Sequence, residues 1–337
     1  MKILLSASVK HFDPINKKVL IRHSVGVLVE LFSQVLEEFG DVTYIGDADQ
    51  LQGRDFDLIV SWPRNFDALT TYNTFRKSIC FFNIAEAGFL KRALREEATR
   101  LGCKVSDCFA PLRYYHADLN FLIGGDAVAR QYIDAGVDPE KIVKVYYRHG
   151  YIPWKSRELN KRPVFLHTAT SLGLRKGFCH VLKDFEDANL DAELWCVGKI
   201  EKERFWIDLA NKYKDHPKIK IIGWVDNSDP KFINLIHGAD FIFFPSFGEG
   251  QPGSVIEAME GGCLPITTEE SGIPYHPFGV YHRGDISTLI RAFETEPDEF
   301  RIRQDAMKGY IDRVYDNNKF KEVIRSNIDT LVKTTTK

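Results

Sequence analysis

Phe243-Phe244-Pro245-Ser246-Phe247-Gly248-Glu249-Gly250-Gln251-Pro252-Gly253-Ser254-Val255-Ile256-Glu257-Ala258-Met259 carries an apolar run into a Gly/Pro loop and on into a helix-forming segment, with a glutamate on each side of the turn. Ile242, Phe243 and Phe244 suit a parallel strand buried on both faces. Pro245, which has no backbone donor, ends the pairing. Gly248, Gly250 and Gly253 permit backbone angles that other residues avoid and let a ligand come close to the chain. Ser254 is expected as the N-cap of a helix over Val255 to Glu260. The free amides and positive dipole end of such a helix favour a diphosphate in the loop.

The two carboxylates repel phosphate, so their partners are expected to be hydroxyl groups, which sugars supply in number. Glu249, in the loop, can face a bound hexose, and Glu257, one turn into the helix, can face a ribose. The spacing Pro-Ser-x-x-Glu-Gly-x-Pro-x-Ser-x-x-Glu-Ala-Met resembles the Glu-x7-Glu motif of retaining GT-B glycosyltransferases of the family 4 type, the glycosyl transferases group 1. In that family the first glutamate contacts the donor sugar and the second the nucleotide ribose. The resemblance implies these roles for Glu249 and Glu257, and a donor-binding loop of Gly250, Gln251, Pro252, Gly253 and Ser254. A bare pair of glutamates eight residues apart would more simply be a solvated helix face. The strand before them, the Gly/Pro loop, and the Gly261-Gly262-Cys263-Leu264-Pro265-Ile266-Thr267-Thr268 strand after them argue against that.

Positive charge to complement these acids stands upstream. Val164-Phe165-Leu166-His167 reads as a strand, Thr168 to Gly173 as a turn, and Leu174-Arg175-Lys176-Gly177-Phe178 as the entry to an amphipathic helix through Val181, Leu182 and Phe185. An adjacent arginine and lysine there can clamp a diphosphate, one as a planar fork and the other as a point charge. The same clamp would stabilise charge on a departing nucleoside diphosphate. Two basic residues on an ordinary helix start would instead oppose its dipole. The Lys176-Gly177 step matches the family pattern, whereas many relatives place the arginine several residues earlier than Arg175.

Forty-five basic against forty-seven acidic residues give a net charge of −2, so there is no nucleic-acid signature. The hydrophobic share of 44% and charged share of 27% are those of an ordinary globular chain. At 337 residues two domains are expected. The six cysteines are scattered, with no zinc-type double pair, and several sit in apolar contexts as reduced thiols do. Met1-Lys2-Ile3-Leu4-Leu5-Ser6-Ala7 is too short an apolar run for a signal peptide and reads as the first buried strand. No stretch approaches a bilayer span. A cytoplasmic location is therefore expected. The segment Glu86 to Lys104 bears Lys91, Arg92, Arg95, Arg100 and Lys104 beside Leu90, Leu94 and Leu101, a pattern open to peripheral contact with the inner face of a membrane. Its own Glu86, Glu96 and Glu97 favour a solvated amphipathic helix.

Alternating strands and helices argue for a doubly wound parallel sheet in each half, with Pro153 to Pro163 between them. In the first half the strands are Ile3 to Ala7, Val42 to Ile45, Leu58 to Ser61, Ile79 to Phe82 and Leu119 to Ile123, with helices at Val25 to Phe39 and Asp126 to Ala135. In the second they are Val164 to His167, Glu193 to Val197, Ile219 to Ile222, Phe241 to Phe244 and Leu264 to Thr267. The resemblance implies the GT-B fold, two Rossmann-like domains facing a central cleft. Residues 1–152 are then the acceptor-side domain, 153–310 the donor domain, and 311–337 a helix crossing back to the first domain. Ligands in such sheets bind at the carboxyl ends of strands, so the Arg175-Lys176 and Glu249 loops should share one crevice.

The first half matches only in pattern. The loop from Val9 to Val25 is long and polar, with Ser24 and Gly26 in place of the usual Gly-Gly pair. Phe81-Phe82-Asn83-Ile84 stands where relatives often carry a histidine. His11, His23, His116 and His149 are the remaining candidates for substrate contact, although a lone histidine is more often structural. The expected activity is retaining transfer of a sugar, hexosyl-like, from a nucleotide-diphosphate sugar to a hydroxyl of a glycan or lipid-linked acceptor, with Lys176, Arg175 and Glu249 as the catalytic set. No metal and no cofactor beyond the donor substrate is called for. The alternatives are a GT-B epimerase acting on the sugar nucleotide itself and a catalytically inactive binding module.

Overall fold

A computed structural model of the chain describes residues 1–7, 12–13, 18–19, 24–46, 52–105, 116–148, 150, 152–274, 276, 278–281, 286–287 and 296–334. The chain forms two compact units whose division is not colinear with the sequence. One comprises Met1–Ala87, Phe109–His149 and Tyr315–Lys337, and the other Gly88–Cys108 and Gly150–Val314.

The first unit contains β1 (Lys2–Ser6), a short antiparallel pair β2 (Phe12–Asp13) and β3 (Lys18–Val19), α1 (Ser24–Leu36), β4 (Asp41–Ile45), β5 (Asp55–Ser61), α2 (Pro63–Tyr72) and β6 (Thr74–Phe82). After α3 (Ala87–Leu101), nearly all of which groups with the second unit, follow β7 (Leu119–Leu122), α4 (Asp126–Asp134) and β8 (Ile142–Lys144). Six strands pair in parallel in the order β4-β1-β5-β6-β7-β8. Strands buried on both faces need continuous apolar runs. Ile3, Leu4 and Leu5 of β1 and Leu58, Ile59 and Val60 of β5 meet this with no exposure at all.

The second unit contains β9 (Val164–Leu172), α5 (Phe178–Ala188), β10 (Glu193–Ile200), α6 (Arg204–Lys212), β11 (Ile219–Gly223), α7 (Pro230–Gly238), β12 (Phe241–Phe244), α8 (Gly253–Glu260), β13 (Leu264–Thr267), β14 (Val280–Tyr281) and α9 (Pro297–Val314). Its parallel sheet runs β11-β10-β9-β12-β13-β14. The order reverses direction between β9 and β12, and at such a switch point the loops leaving two neighbouring strands diverge and open a crevice.

Two local features differ from expectation. β9 runs on through Thr168–Leu172, where a turn was expected, because β10 keeps pairing with it as far as Ile200 opposite Leu172, past a register shift between Val197 and Lys199. The polar Thr-Ala-Thr-Ser composition conceals a laddered strand. The tail expected as one helix over 311–337 is split between two helices. α9 stops at Val314, and α10 (Asn317–Lys333) restarts behind Asp316, whose carboxylate accepts from Asn318 N at 2.8 Å and Lys319 N at 3.4 Å as an N-cap. Phe320, Ile324 and Ile328 of α10, four residues apart on one face, complete the first unit's core beside Phe32, with the Phe32 and Phe320 rings 5.7 Å apart. No helix among the described residues is long and apolar enough to cross a membrane.

Candidate functional site

The loop that leaves β12 is pressed against those that leave β9 and β13 in the second sheet, and one glycine at each junction makes this possible. Gly177, at φ +72°, caps α5, and a Cβ there would stand 2.1 Å from Pro245 O. Gly272, at φ +76°, packs so that a Cβ would stand 1.7 Å from Gly250 O. Both positions combine a left-handed backbone with backbone contact, so any side chain would force the loops apart. Hydrogen bonds finish the closure: Phe247 N and Ser246 Oγ each donate to Arg175 O at 3.0 Å. Glu249 N donates to Glu270 O at 2.9 Å, and Thr268 Oγ1 to Ser246 O at 2.6 Å.

The closure converges three charged side chains. Arg175 Nη1 and Lys176 Nζ each lie 2.7 Å from Glu249 Oε1, which also accepts from Ser246 Oγ at 3.2 Å. Burial raises the Glu249 carboxyl, but Arg175 and Lys176 outweigh it and hold the group below the usual carboxylate range. Burial likewise pushes Lys176 down, to about 8, against the attraction of Glu249. Lys176 Nζ also lies 5.3 Å over the Phe244 ring. Two cations thus share one carboxylate at the carboxyl ends of adjacent strands.

Glu257 stands apart from this triad. It is buried in the second turn of α8, and its Oε1 accepts from Asn227 Nδ2 at 3.2 Å, on the loop after β11. Gly250, Gln251 and Pro252 lie buried between the two glutamates. The expected N-cap at Ser254 is corrected: α8 begins at Gly253, Pro252 occupies the N-cap position, and Ser254 is the second helical residue. Pro252 O accepts from Val255 N at 3.0 Å and Ile256 N at 3.2 Å, so the proline's fixed φ starts the helix two residues early. The amides of Gly253 and Ser254, first in the helix, have no intrahelical acceptor.

Sequence reading passed over Ser246, Asn227, Thr268 and His167. Asn227 sits in an Asp226-Asn227-Ser228 turn, where Asp226 Oδ1 accepts from Ser228 N at 2.9 Å, so by pattern it reads as turn chemistry alone. His167 is wholly buried in β9, its Nδ1 2.9 Å from Phe243 O, and burial pushes it down to about 4, so the ring is neutral. Its Nε2 has no hydrogen-bond partner among the described residues. Of the four histidines considered from sequence, His116 is exposed, and His11, His23 and His149 lie outside the described residues.

Residues 162–293 match the family model for glycosyl transferases group 1, which covers the second sheet from β9 to β14. A stretch of 106 residues, 31% of the chain, is 30% identical to the capsular polysaccharide biosynthesis glycosyltransferase CapH of Staphylococcus aureus, and the chain covers only 28% of that relative. Among solved structures, sucrose-phosphate synthase from Thermosynechococcus elongatus superposes over 99% of both chains with a TM-score of 0.68 at 12% identity. Anabaena HepE, solved with UDP and glucose, superposes over 98% of this chain and 100% of its own with a TM-score of 0.62 at 13% identity. The fold is therefore that of GT-B glycosyltransferases, two parallel-sheet α/β domains.

Proposed function

We propose that this chain is a retaining glycosyltransferase that moves a sugar, as a hexosyltransferase does, from a nucleotide-diphosphate donor to a hydroxyl of a glycan or lipid-linked acceptor in the cytoplasm. One observation carries the reading: Arg175 and Lys176 meet Glu249 at the switch point, each 2.7 Å from the same oxygen. Two cations against one carboxylate leave a net positive charge, which a diphosphate complements. In this reading the diphosphate takes over both cations, and the amides at the start of α8 add donors without a metal. Glu249, released from its ion pairs, accepts from hydroxyls of the donor sugar, and Glu257, already steadied by Asn227, accepts from the ribose. The match to the group 1 family model and the UDP and glucose bound by HepE support a nucleotide-sugar donor. The capsule assignment of CapH supports a glycan acceptor.

The bond from the sugar's anomeric carbon to the diphosphate oxygen breaks, and a bond to the acceptor oxygen forms on the same face, which is what retention requires. The acceptor proton passes to the departing phosphate oxygen. Lys176 and Arg175 stabilise the charge that grows there, acting only as it develops. Thermal shift against a panel of nucleoside diphosphates and their sugars tests the donor assignment, because a ligand at a hundred times its Kd stabilises by about 2.7 kcal/mol. Turnover of the stabilising donor with a glycan acceptor, with no added magnesium or manganese, is the expected result. Product formed without any acceptor would favour the epimerase, and nucleotide binding without turnover the inactive module.

A further inference from the structure

A second cluster of chemically reactive side chains lies where α3 meets the start of α5. Ligand atoms of Glu97, Cys179 and His180 all fall within 4.8 Å of one another, and His180 Nε2 is 2.8 Å from Glu97 Oε1. Consecutive helical residues diverge by about 100° around the axis, so Cys179 and His180 would ordinarily face different ways. Here both side chains turn toward the same carboxylate, which arrives from a helix about eighty residues earlier in the chain. A thiol, an imidazole and a carboxylate form a borderline-soft donor set, which selects a zinc-like ion over magnesium or calcium.

We propose that Glu97, Cys179 and His180 form a three-ligand site for Zn(II) or a similar thiophilic divalent ion, with water in the fourth position, pinning α3 to the first turn of α5. A tetrahedral centre with bonds of about 2.0 to 2.3 Å needs its ligand atoms about 3.3 to 3.8 Å apart, which side-chain rotations achieve from this arrangement. A thiolate and a carboxylate together neutralise the ion's two charges; burial and the nearby Glu97 push the metal-free Cys179 thiol up to about 12, so the ion binds by displacing the thiol proton. Arg100 forks onto both oxygens of Glu97, with Nε 2.8 Å from Oε2. Its side chain is 57% exposed, so it can leave Oε1 to the metal and retain Oε2, orienting the ligating carboxylate. The His180 ring also lies 5.4 Å from that of Phe247, so the metal fixes a side chain that bears on the loop after β12.

The test uses the full-length, reduced, metal-stripped protein titrated with Zn(II), and separately with Co(II) as a spectroscopic probe. One equivalent should bind per chain, with a thiolate-to-Co(II) charge-transfer band, and Zn(II) should raise the melting temperature. Cys179→Ser should abolish the band. His180→Ala and Glu97→Gln should each weaken Zn(II) by at least about tenfold, with circular dichroism confirming that each variant is folded. Failure to retain one equivalent, or a band and affinity unchanged by Cys179→Ser and His180→Ala, overturns the site and leaves an ordinary hydrogen-bonded contact between the two helices.

Discussion

The two sheets of this chain are built alike and end differently. Each has six parallel strands, and in each the strand order reverses once, between β1 and β5 in the first and between β9 and β12 in the second. At the first switch the described contacts are neutral: Trp62 N donates to Ser6 O at 3.2 Å, and Asn65 Nδ2 to Ser6 Oγ at 2.8 Å. At the second, two cations meet one carboxylate, Glu249 and Lys176 largely buried and Arg175 partly exposed. The same topology recurs in both units, and among the described residues the cations and carboxylate come together at the second switch. A largely desolvated lysine–glutamate pair is a costly way to join two loops. A ligand that takes over the cations would account for keeping it.

The largest expected effect tests whether the first unit is chiefly scaffold. Phe320→Ala removes a ring from between Phe32 and Tyr147 and should cost about 3 to 5 kcal/mol of stability in chemical denaturation. Nucleotide affinity of the folded protein should be unchanged. Next, Lys176→Ala and Glu249→Ala should each lower kcat/KM by about 2 kcal/mol or more, roughly thirtyfold. The matching change at the other switch, Asn65→Ala, should leave nucleotide affinity as it was. Equal losses at both switches would break the contrast.

A pH series sharpens it. Lys176 titrates near 8 in the folded protein, whereas an unfolded lysine holds its proton to about 10.4. Between those values the unfolded chain binds more protons, so this group's contribution to stability rises with pH. The cationic clamp is lost over the same window, and nucleotide affinity should fall by up to about tenfold per pH unit above 8. Stability and binding should therefore move in opposite directions, and the difference between the parent and Lys176→Met measured by both methods isolates this residue. The smallest effect is expected from Asn227→Ala, which removes one charge-assisted bond to Glu257. A loss of about 1 kcal/mol, near fivefold in nucleotide Kd, should appear in a binding titration without loss of fold.

Much of this architecture was legible in the chain because its signals are local. Phe241 to Phe244 and Leu264 to Thr267 could only be buried strands, and the Gly/Pro loop between them could only be a turn into a helix. The limits were equally physical. Thr168 to Leu172 looked like a loop because polar residues are read as solvated unless a neighbouring strand is known to pair with them. Ser254 looked like a cap because its side chain suits that task, but Pro252 started the helix sooner through its backbone alone. Asn227 and His167 matter through partners 30 and 76 residues away, and nothing beside them in the sequence marks those contacts.

By itself the sequence determined the alternation of strands and helices, the placing of Glu249, Arg175 and Lys176 at strand ends and that of Glu257 in the helix that follows, since hydrophobic period and turn chemistry act over a few residues. Tertiary structure alone decided the order of the strands, and therefore where each sheet reverses. It also decided that Arg175, 74 residues from Glu249, would share one carboxylate oxygen with Lys176, and that Glu257 would turn to Asn227 instead. Charge complementarity can be read along a chain, but a 2.7 Å contact exists only once two strands have been laid side by side and the loops leaving them have been closed over glycine.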